Sequence, residues 1–408
     1  MKRTSAANIA LLFFLYLSQG LPFGFQATAL PLFMRERGLP LSSIGYIGLL
    51  ALPWMLKALW APLVDRFYSE TLGRRRSWII PLQGLLVCLI FLASGFTAIS
   101  DLTVLYLLIF LMNLAAATQD IAVDGLAVDI LADTQLGAGN AAQVMGFKAG
   151  MIASGGLLVW LTASIGWKGL YLAMGCIALL PLLFIIMYRE DGEAGETEKR
   201  HSLKELLAIT VALFRKKSII WFLLFIMTYK SGEAVMDIMF KPFLIDAGFT
   251  ASQIGLWLGT WGMVASMAGS FSGGALGARI PVYRLLGIAL VLRAIPIALQ
   301  WGLTLSEPQA WQVIAVTLAE HFFGGLLTIS LFAYMMSRVD KRMGATHYTI
   351  FASLEAAGKG PWSWSSGLLA ENLGYSAAFG LALALTLLVM LLYPLVREKE
   401  RDEAGTRS

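Results

Sequence analysis

The 408-residue sequence is short of charge, with only 14% of its residues charged against 58% hydrophobic, and its mean hydropathy is +0.71. An ordinary globular chain carries about 25% charged residues, so a soluble domain of this size is excluded and an integral membrane protein is indicated. Cysteine is scarce as well. Cys88 and Cys176 are the two present and both lie in apolar runs, which argues against a disulfide or thiolate-metal framework; no cofactor is expected. Catalytic signatures are missing: the sequence has no HExxH pair, no Gly-x-Gly-Asp pair and no Gly-x-Ser-x-Gly elbow, so it does not read as an enzyme. The basic excess is small, +5 with a pI near 9.1. Membrane proteins gather Lys and Arg in cytoplasmic loops, so this excess implies no nucleic-acid partner.

What the chain does have is long apolar runs. Its start, "MKRTSAANIALLFFLYLSQGLPFGF", opens like a signal peptide but runs past the length of an h-region without a cleavage site, and is expected to be an uncleaved first span. Crossing a bilayer core takes about 20 apolar residues. Twelve stretches meet this, near 7–34, 42–64, 77–98, 102–131, 139–163, 168–188, 218–245, 251–277, 284–304, 310–337, 345–370 and 376–396. With both termini cytoplasmic, only Arg35, Arg37 and Lys168 fall in outer loops. Six more basic residues, Lys57, Lys148, Lys230, Lys241, Arg293 and Lys359, fall within spans, and all the others lie in cytoplasmic segments. This asymmetry supports twelve spans with both ends inside.

A polar stretch at 189–217 divides the chain, and its second part, "LKELLAITVALF", predicts an amphipathic helix on the inner membrane surface, drawn to anionic lipid by Arg215, Lys216 and Lys217. The expected organisation is a six-helix bundle at 1–188, this linker, a second bundle at 218–396 and a cytoplasmic tail at 397–408. An internal repeat supports it. "GLPLSSIG" (38–45) matches "GFTASQIG" (248–255) at an offset of 210, and Lys148 with "GLL" (156–158) recurs as Lys359 with "GLL" (367–369) at 211. Two six-helix halves joined by a cytoplasmic loop resemble the major facilitator architecture, an all-α membrane fold of two pseudo-symmetric bundles that rock about a central site. The loop "APLVDRFYSETLGRRR" carries that family's signature in altered form: Asp65, Arg66 and the Gly-Arg-Arg run are present, but Ala61 stands where Gly is usual. The second half keeps only "GGALGAR" (273–279).

Charges inside spans cost roughly 2.5–3.5 kcal/mol each on insertion scales and so mark partners, cavities or pathways. Lys148, Lys230, Arg293, Glu320, His321 and Glu355 all lie about midway along their spans, the depth at which sites in such folds occur. In "TYKSGEAVMDIMFK", Lys230, Glu233, Asp237 and Lys241 follow at spacings of 3, 4 and 4, which puts them on one helix face. Two readings are open there, an ion-pair ladder or the lining of a path. Glu320 adjoins His321, and either can carry a coupling proton, the carboxylate by burial and the imidazole by its near-neutral titration; otherwise they bind substrate or pair with a lysine. Glu355 lies one turn from Lys359 and is expected to neutralise it, leaving Lys148 to meet an anion. Trp54, Trp60, Trp257, Trp261, Trp362 and Trp364 lie within spans as stacking faces or as belt and packing residues. In "AATQDIAVDGLAVDIL", depth separates the roles. Asp120 reaches the lower cavity, whereas Asp124 and Asp129 are placed to meet Arg74, Arg75 or Arg76 as a cytoplasmic latch that breaks when the halves rock. His347 is expected as a gate residue and His201 as a solvated loop residue.

The blocks "LKALWAPLVDR" with "LGRRRSW", "AATQDIAVDGLAV", "TYKSGEAV", "AEHFFGGL" and "ATHYTIFASLEAAGK" resemble the AmpG-like group of the major facilitator superfamily. That group includes muropeptide permeases, siderophore permeases of the RhtX and FptX type and acetyl-CoA transporters. The resemblance implies a secondary transporter of the bacterial inner membrane. Its cargo is a bulky, polar, often anionic small molecule moved by proton-linked import, its partners are protons and the bilayer, and it acts as a monomer. Muropeptide permeases typically carry further carboxyl-terminal helices that this chain lacks, so its length and "DGLAV" favour a ferric siderophore, with anhydromuropeptide or acetyl-CoA as alternatives. Lys57, Asp120, Asp124, Lys148, Lys230 and Glu233 sit in the family blocks. A different class, a sensor on the same scaffold that binds without flux, is not favoured, since no receiver or kinase-like segment accompanies the spans.

Overall fold

An apolar backbone in lipid must satisfy its N–H and C=O groups within itself, which leaves helices as the solution for these runs. In the computed structural model, residues 5–131, 136–188, 217–277, 279–338 and 344–396 are described, and all regular structure among them is helical. The amphipathic linker segment, the tail at 397–408 and His201 lie outside them, as do the side chains of Asp65 and His347.

Helix α1 covers 5–36 and carries a π-helical stretch at Phe25–Ala29. Helix α2 (41–66) is interrupted by 3-10 turns at Tyr46–Ala51 and Lys57–Leu59. Helices α3 (Arg76–Ala93) and α4 (Leu102–Ile130) follow, then α5 (136–165) and α6 (167–187). Helix α7 (217–246) is broken at Tyr229–Lys230, and α8 (251–277) holds a π-helical stretch at Gly255–Gly262. Helices α9 (Val282–Leu303), α10 (Ala310–Ser337), α11 (344–373) and α12 (375–390) complete the set.

Among the described residues, seven stretches are long and apolar enough to cross a membrane, and two of them, Ala142–Met187 and Phe351–Val396, run to 46 residues. At 1.5 Å per residue each would measure about 69 Å, more than twice a bilayer core of about 30 Å. Each is broken near its middle by a glycine in the left-handed region, Gly166 (φ 68°) and Gly374 (φ 80°), a conformation that a Cβ disfavours.

The described chain forms two compact units. Unit 1 is Met1–Leu39, Ile47–Glu196 and Leu244–Thr260, and unit 2 is Pro40–Tyr46, Thr197–Phe243 and Trp261–Ser408. Each is built mainly from one half of the sequence and takes one short stretch from the other. Unit 1 packs Leu12, Leu15, Tyr16, Ile79, Val123 and Ile185 into an apolar core; Phe225, Ile226, Leu286, Leu331 and Phe351 do the same in unit 2. In unit 1, α1 and α5 approach backbone to backbone. A Cβ at Gly20 would lie 2.1 Å from the Phe147 carbonyl oxygen, and one at Gly150 2.1 Å from that of Leu17. Small residues permit this contact, by which helices in lipid gain van der Waals packing without a hydrophobic drive.

The repeat is visible in the backbone. Gly38 (φ 72°) and Gly248 (φ 93°), 210 residues apart, turn the chain after α1 and α7. Arg35 and Asp246, 211 apart, meet in unit 1 as a forked pair, Nε to Oδ1 at 2.6 Å and NH2 to Oδ2 at 2.5 Å.

Candidate functional site

The charges that the sequence places inside spans gather into two networks, one in each unit. In unit 2 the network begins where α7 breaks. The turn at Tyr229–Lys230 sends the Lys230 ammonium to Glu233 Oε1 (3.3 Å) and Thr328 Oγ1 of α10 (3.0 Å). Glu233 Oε2 accepts from Arg293 of α9, from Nε at 3.2 Å and NH2 at 3.0 Å. Arg293 is 2% exposed and also donates to the Glu320 carboxylate and to the Glu320 carbonyl oxygen. The other oxygen of Glu320 contacts His321 Nδ1 at 2.5 Å, and that nitrogen lies 3.1 Å from the Thr317 carbonyl oxygen. Gly262 of α8 makes room for the imidazole, since a Cβ there would lie 2.8 Å from His321 Nε2. On α11, Glu355 Oε1 accepts from Tyr229 O–H and from the Lys359 ammonium, both at 2.8 Å. Lys359 is 36% exposed where Glu355 is 6% exposed, so the cation is the half of the pair that solute or water can reach. Lower on α7, buried Lys241 pairs with exposed Asp237 at 2.7 Å.

The spacing that put Lys230, Glu233, Asp237 and Lys241 on one face therefore yields two intrahelical pairs. The upper one is tied onward to α9, so the stripe is neither a closed ladder nor free. Arg293 is the link that sequence reading left without a role. Its signal was present, as a lone arginine in the apolar run "LVLRAIPIAL". Glu320, for which pairing with a lysine was one of the open readings, pairs with this arginine, whose planar fork spans two carboxylates where an ammonium would meet one.

In unit 1 the second 3-10 turn of α2 places Lys57 against Asp120 of α4, which it contacts directly, with Nζ 5.5 Å from the Trp54 ring centroid. The indoles are anchored from α4: Trp54 N–H donates to Asn113 Oδ1 (2.9 Å) and Trp60 N–H to Thr118 Oγ1 (3.1 Å). Asn113 in turn donates to buried Gln26 of α1 at 2.7 Å, a chain that fixes the Trp54 face. Nearer the end of α4, Asp129 accepts from Arg75 Nε at 2.7 Å. Gly125 makes this possible, because a Cβ there would lie 2.2 Å from Arg75 Cζ. Asp124 departs from expectation. Its partners are Tyr16 O–H (2.5 Å) and Gln143 Nε2 (3.4 Å), both on Oδ1, and not an arginine. Arg76 donates to the carbonyl oxygens of Ile185 and Ile186 and so ties the α2–α3 loop to the end of α6. Arg66 is exposed over the Phe67 ring, Arg74 is half-buried, and Lys148 is half-buried on α5. Tyr16 and Gln143, uncharged, gave no sequence signal of this role.

Ionised groups on apolar helices, neutralised across helices and partly open, are the equipment of a membrane transporter. The chain belongs to the Major Facilitator Superfamily, whose family model matches residues 12–358. It is a multi-pass membrane transporter and not an enzyme. Within that family it is similar to the "Anhydromuropeptide permease" of Escherichia coli (strain K12), 29% identical over 388 residues that cover 94% of this chain and 79% of that protein. It is also similar to "Putative transporter AmpG 4" of Rickettsia conorii, 25% identical over 396 residues covering 94% of this chain and 95% of that one. The AmpG-like resemblance of the sequence blocks thus extends over nearly the whole chain. Among solved structures, the nucleoside transporter NupG shares the fold at a TM-score of 0.75, with 14% identity, 96% of this chain and 99% of that chain covered.

Proposed function

We propose that this protein imports an anhydromuropeptide across the bacterial inner membrane by alternating access, driven by protons, as a monomer of twelve spans with both termini cytoplasmic. The observation that carries the substrate is similarity, over 94% of this chain and 79% of the relative, to a protein named for that cargo, joined to what each network offers it. Each unit by itself holds a partly exposed cation able to pair with a carboxylate, Lys57 (31% exposed) in unit 1 and Lys359 (36% exposed) in unit 2. Trp54 beside Lys57 supplies an apolar face with a fixed orientation, suited to stacking on a sugar ring. Chain length favoured a ferric siderophore in the sequence, but the Rickettsia relative is matched over 95% of its own length, so length does not separate the branches and the muropeptide reading is preferred. The twelve-span topology is supported by the hinges at Gly166 and Gly374, which divide each 46-residue stretch into two lengths that each suit one crossing.

Proteoliposomes holding the purified protein test the reading with labelled anhydromuropeptide, ferric siderophore and acetyl-CoA in parallel, with and without an imposed proton gradient. Gradient-stimulated accumulation of anhydromuropeptide alone is the expected result. Accumulation of either other solute in its place overturns the substrate assignment, and binding without flux replaces the transporter reading with a sensor.

A further inference from the structure

We propose that Asp124 is the residue that takes up and releases the coupling proton, an inference that rests on the proton-driven reading above and assigns its ion site. Every other carboxylate of the two networks has a cationic partner: Glu233 has Lys230 and Arg293, Glu320 has Arg293, Glu355 has Lys359, Asp237 has Lys241, Asp120 has Lys57 and Asp129 has Arg75. Asp124 has neutral donors alone, Tyr16 from α1 and Gln143 from α5. Glu320, named with His321 as a proton carrier from the sequence, is held by Arg293 at both its side chain and its carbonyl, so its charge already has a partner.

Asp124 lies one helical turn from Asp120 on α4, and the ammonium that serves the pair, Lys57 of α2, contacts Asp120. Two carboxylates against one ammonium leave a negative charge in a low-dielectric span, which a proton removes. The geometry also says where that proton goes. Tyr16 and Gln143 both donate to Oδ1, so Oδ2 has no hydrogen-bond partner among the described residues and is the atom open to protonation. Asp120 is buried and Asp124 is exposed, so the second carboxyl is the more open of the two to water. The buried Tyr16 hydroxyl, itself 1% exposed, holds the carboxyl in one orientation through the change. No bond other than O–H is made or broken: Asp124 gains a proton from water on one side and returns it to water on the other.

Two readouts test this independently. In proteoliposomes, Asp124→Asn is expected to abolish the response of anhydromuropeptide uptake to an imposed proton gradient, and Asp124→Glu to restore the response. A response to the gradient persisting in Asp124→Asn overturns the proposal. The second readout needs no substrate. Infrared difference spectra of the reconstituted protein, stepped through pH, are expected to show the carbonyl band of a protonated carboxylic acid. That band should vanish in Asp124→Asn, survive in Glu320→Gln and change frequency in Tyr16→Phe, where one donor to Oδ1 is lost. A band lost in Glu320→Gln and kept in Asp124→Asn moves the proton to α10. If Asp124→Asn does not fold, the Tyr16→Phe shift decides, and an unshifted band refutes the assignment. If no solute is transported, the substrate reading fails while the infrared result still stands.

Discussion

Arg293→Met is the substitution whose effect can be worked out most fully. The side chain is 3% exposed and holds two carboxylates at once, Glu233 at 3.0 and 3.2 Å and Glu320 through a further direct contact, besides the Glu320 carbonyl. Removing one partner of a buried ion pair is destabilising by about 3–5 kcal/mol, chiefly because the other charge stays behind without compensation. Two residual contacts soften the loss. Lys230 remains 3.3 Å from Glu233, and His321 remains 2.5 Å from Glu320. The expected destabilisation is therefore at the lower end, about 3 kcal/mol. Adding Glu320→Gln to Arg293→Met removes the stranded charge and should recover about 1–3 kcal/mol, the usual coupling of residues in direct contact. Arg293→Lys keeps the charge but loses the fork and should fall between wild type and Arg293→Met. Reversible unfolding in mixed micelles titrated with SDS measures all four proteins. If Arg293→Met stays within about 0.5 kcal/mol of wild type, the range of an ordinary surface change, or if the double variant is no more stable than the single one, the network does not hold unit 2 as described.

The α1–α5 contact should be intolerant of volume. Gly150→Val drives a side chain into the Leu17 carbonyl, where even a Cβ would sit at 2.1 Å, and should destabilise unit 1 by about 1–3 kcal/mol in the same titration, whereas Gly84→Ala, which meets nothing within 4 Å, should be near neutral. The Arg35–Asp246 pair is 22% and 32% exposed, so reversing one charge should cost about 0.2–1 kcal/mol. Arg35→Asp combined with Asp246→Arg should restore both stability and the cysteine-probe accessibility of neighbouring positions, and a double variant that behaves like either single one would show that the pair makes no net contribution.

Much of this arrangement was legible in the sequence because charge is costly in lipid. Lys57, Asp120, Lys230, Glu233, Glu320, His321, Glu355 and Lys359 stood out against apolar surroundings, and the pairs at spacings of three and four, Lys230–Glu233 and Glu355–Lys359, follow from helix geometry alone. Apart from the contact of Asp129 with Arg75, one of the three arginines named for it, pairings across helices did not follow. That Arg293 meets α7 and α10 together depends on the rotation of three helices, which no spacing along one chain encodes. The neutral side chains that complete the sites, Tyr16, Tyr229, Asn113 and Gln26, are common residues in common places and acquire their roles only when packing brings a carboxylate or an indole to them. The break of α7 at Tyr229–Lys230 escaped as well, since no proline or glycine marks it in "MTYKSGEAV" until one turn later.

At the repeat's local offset of 210, set by Gly38 and Gly248, Asp246 corresponds to Glu36 and Arg35 to Ile245, and the contact that forms is Arg35 with Asp246. A symmetric repeat would make this bond twice, but Ile245 stands where the first half has arginine, and Glu36 accepts instead from the Trp167 indole N–H at 3.1 Å. The acidic residue is present in both halves and the arginine in one, so the bond forms once, whereas two identical subunits related by a two-fold axis would show it in duplicate or not at all. A single chain leaves the two ends of its repeat free to differ in this way, and the salt bridge fills one of the two equivalent places.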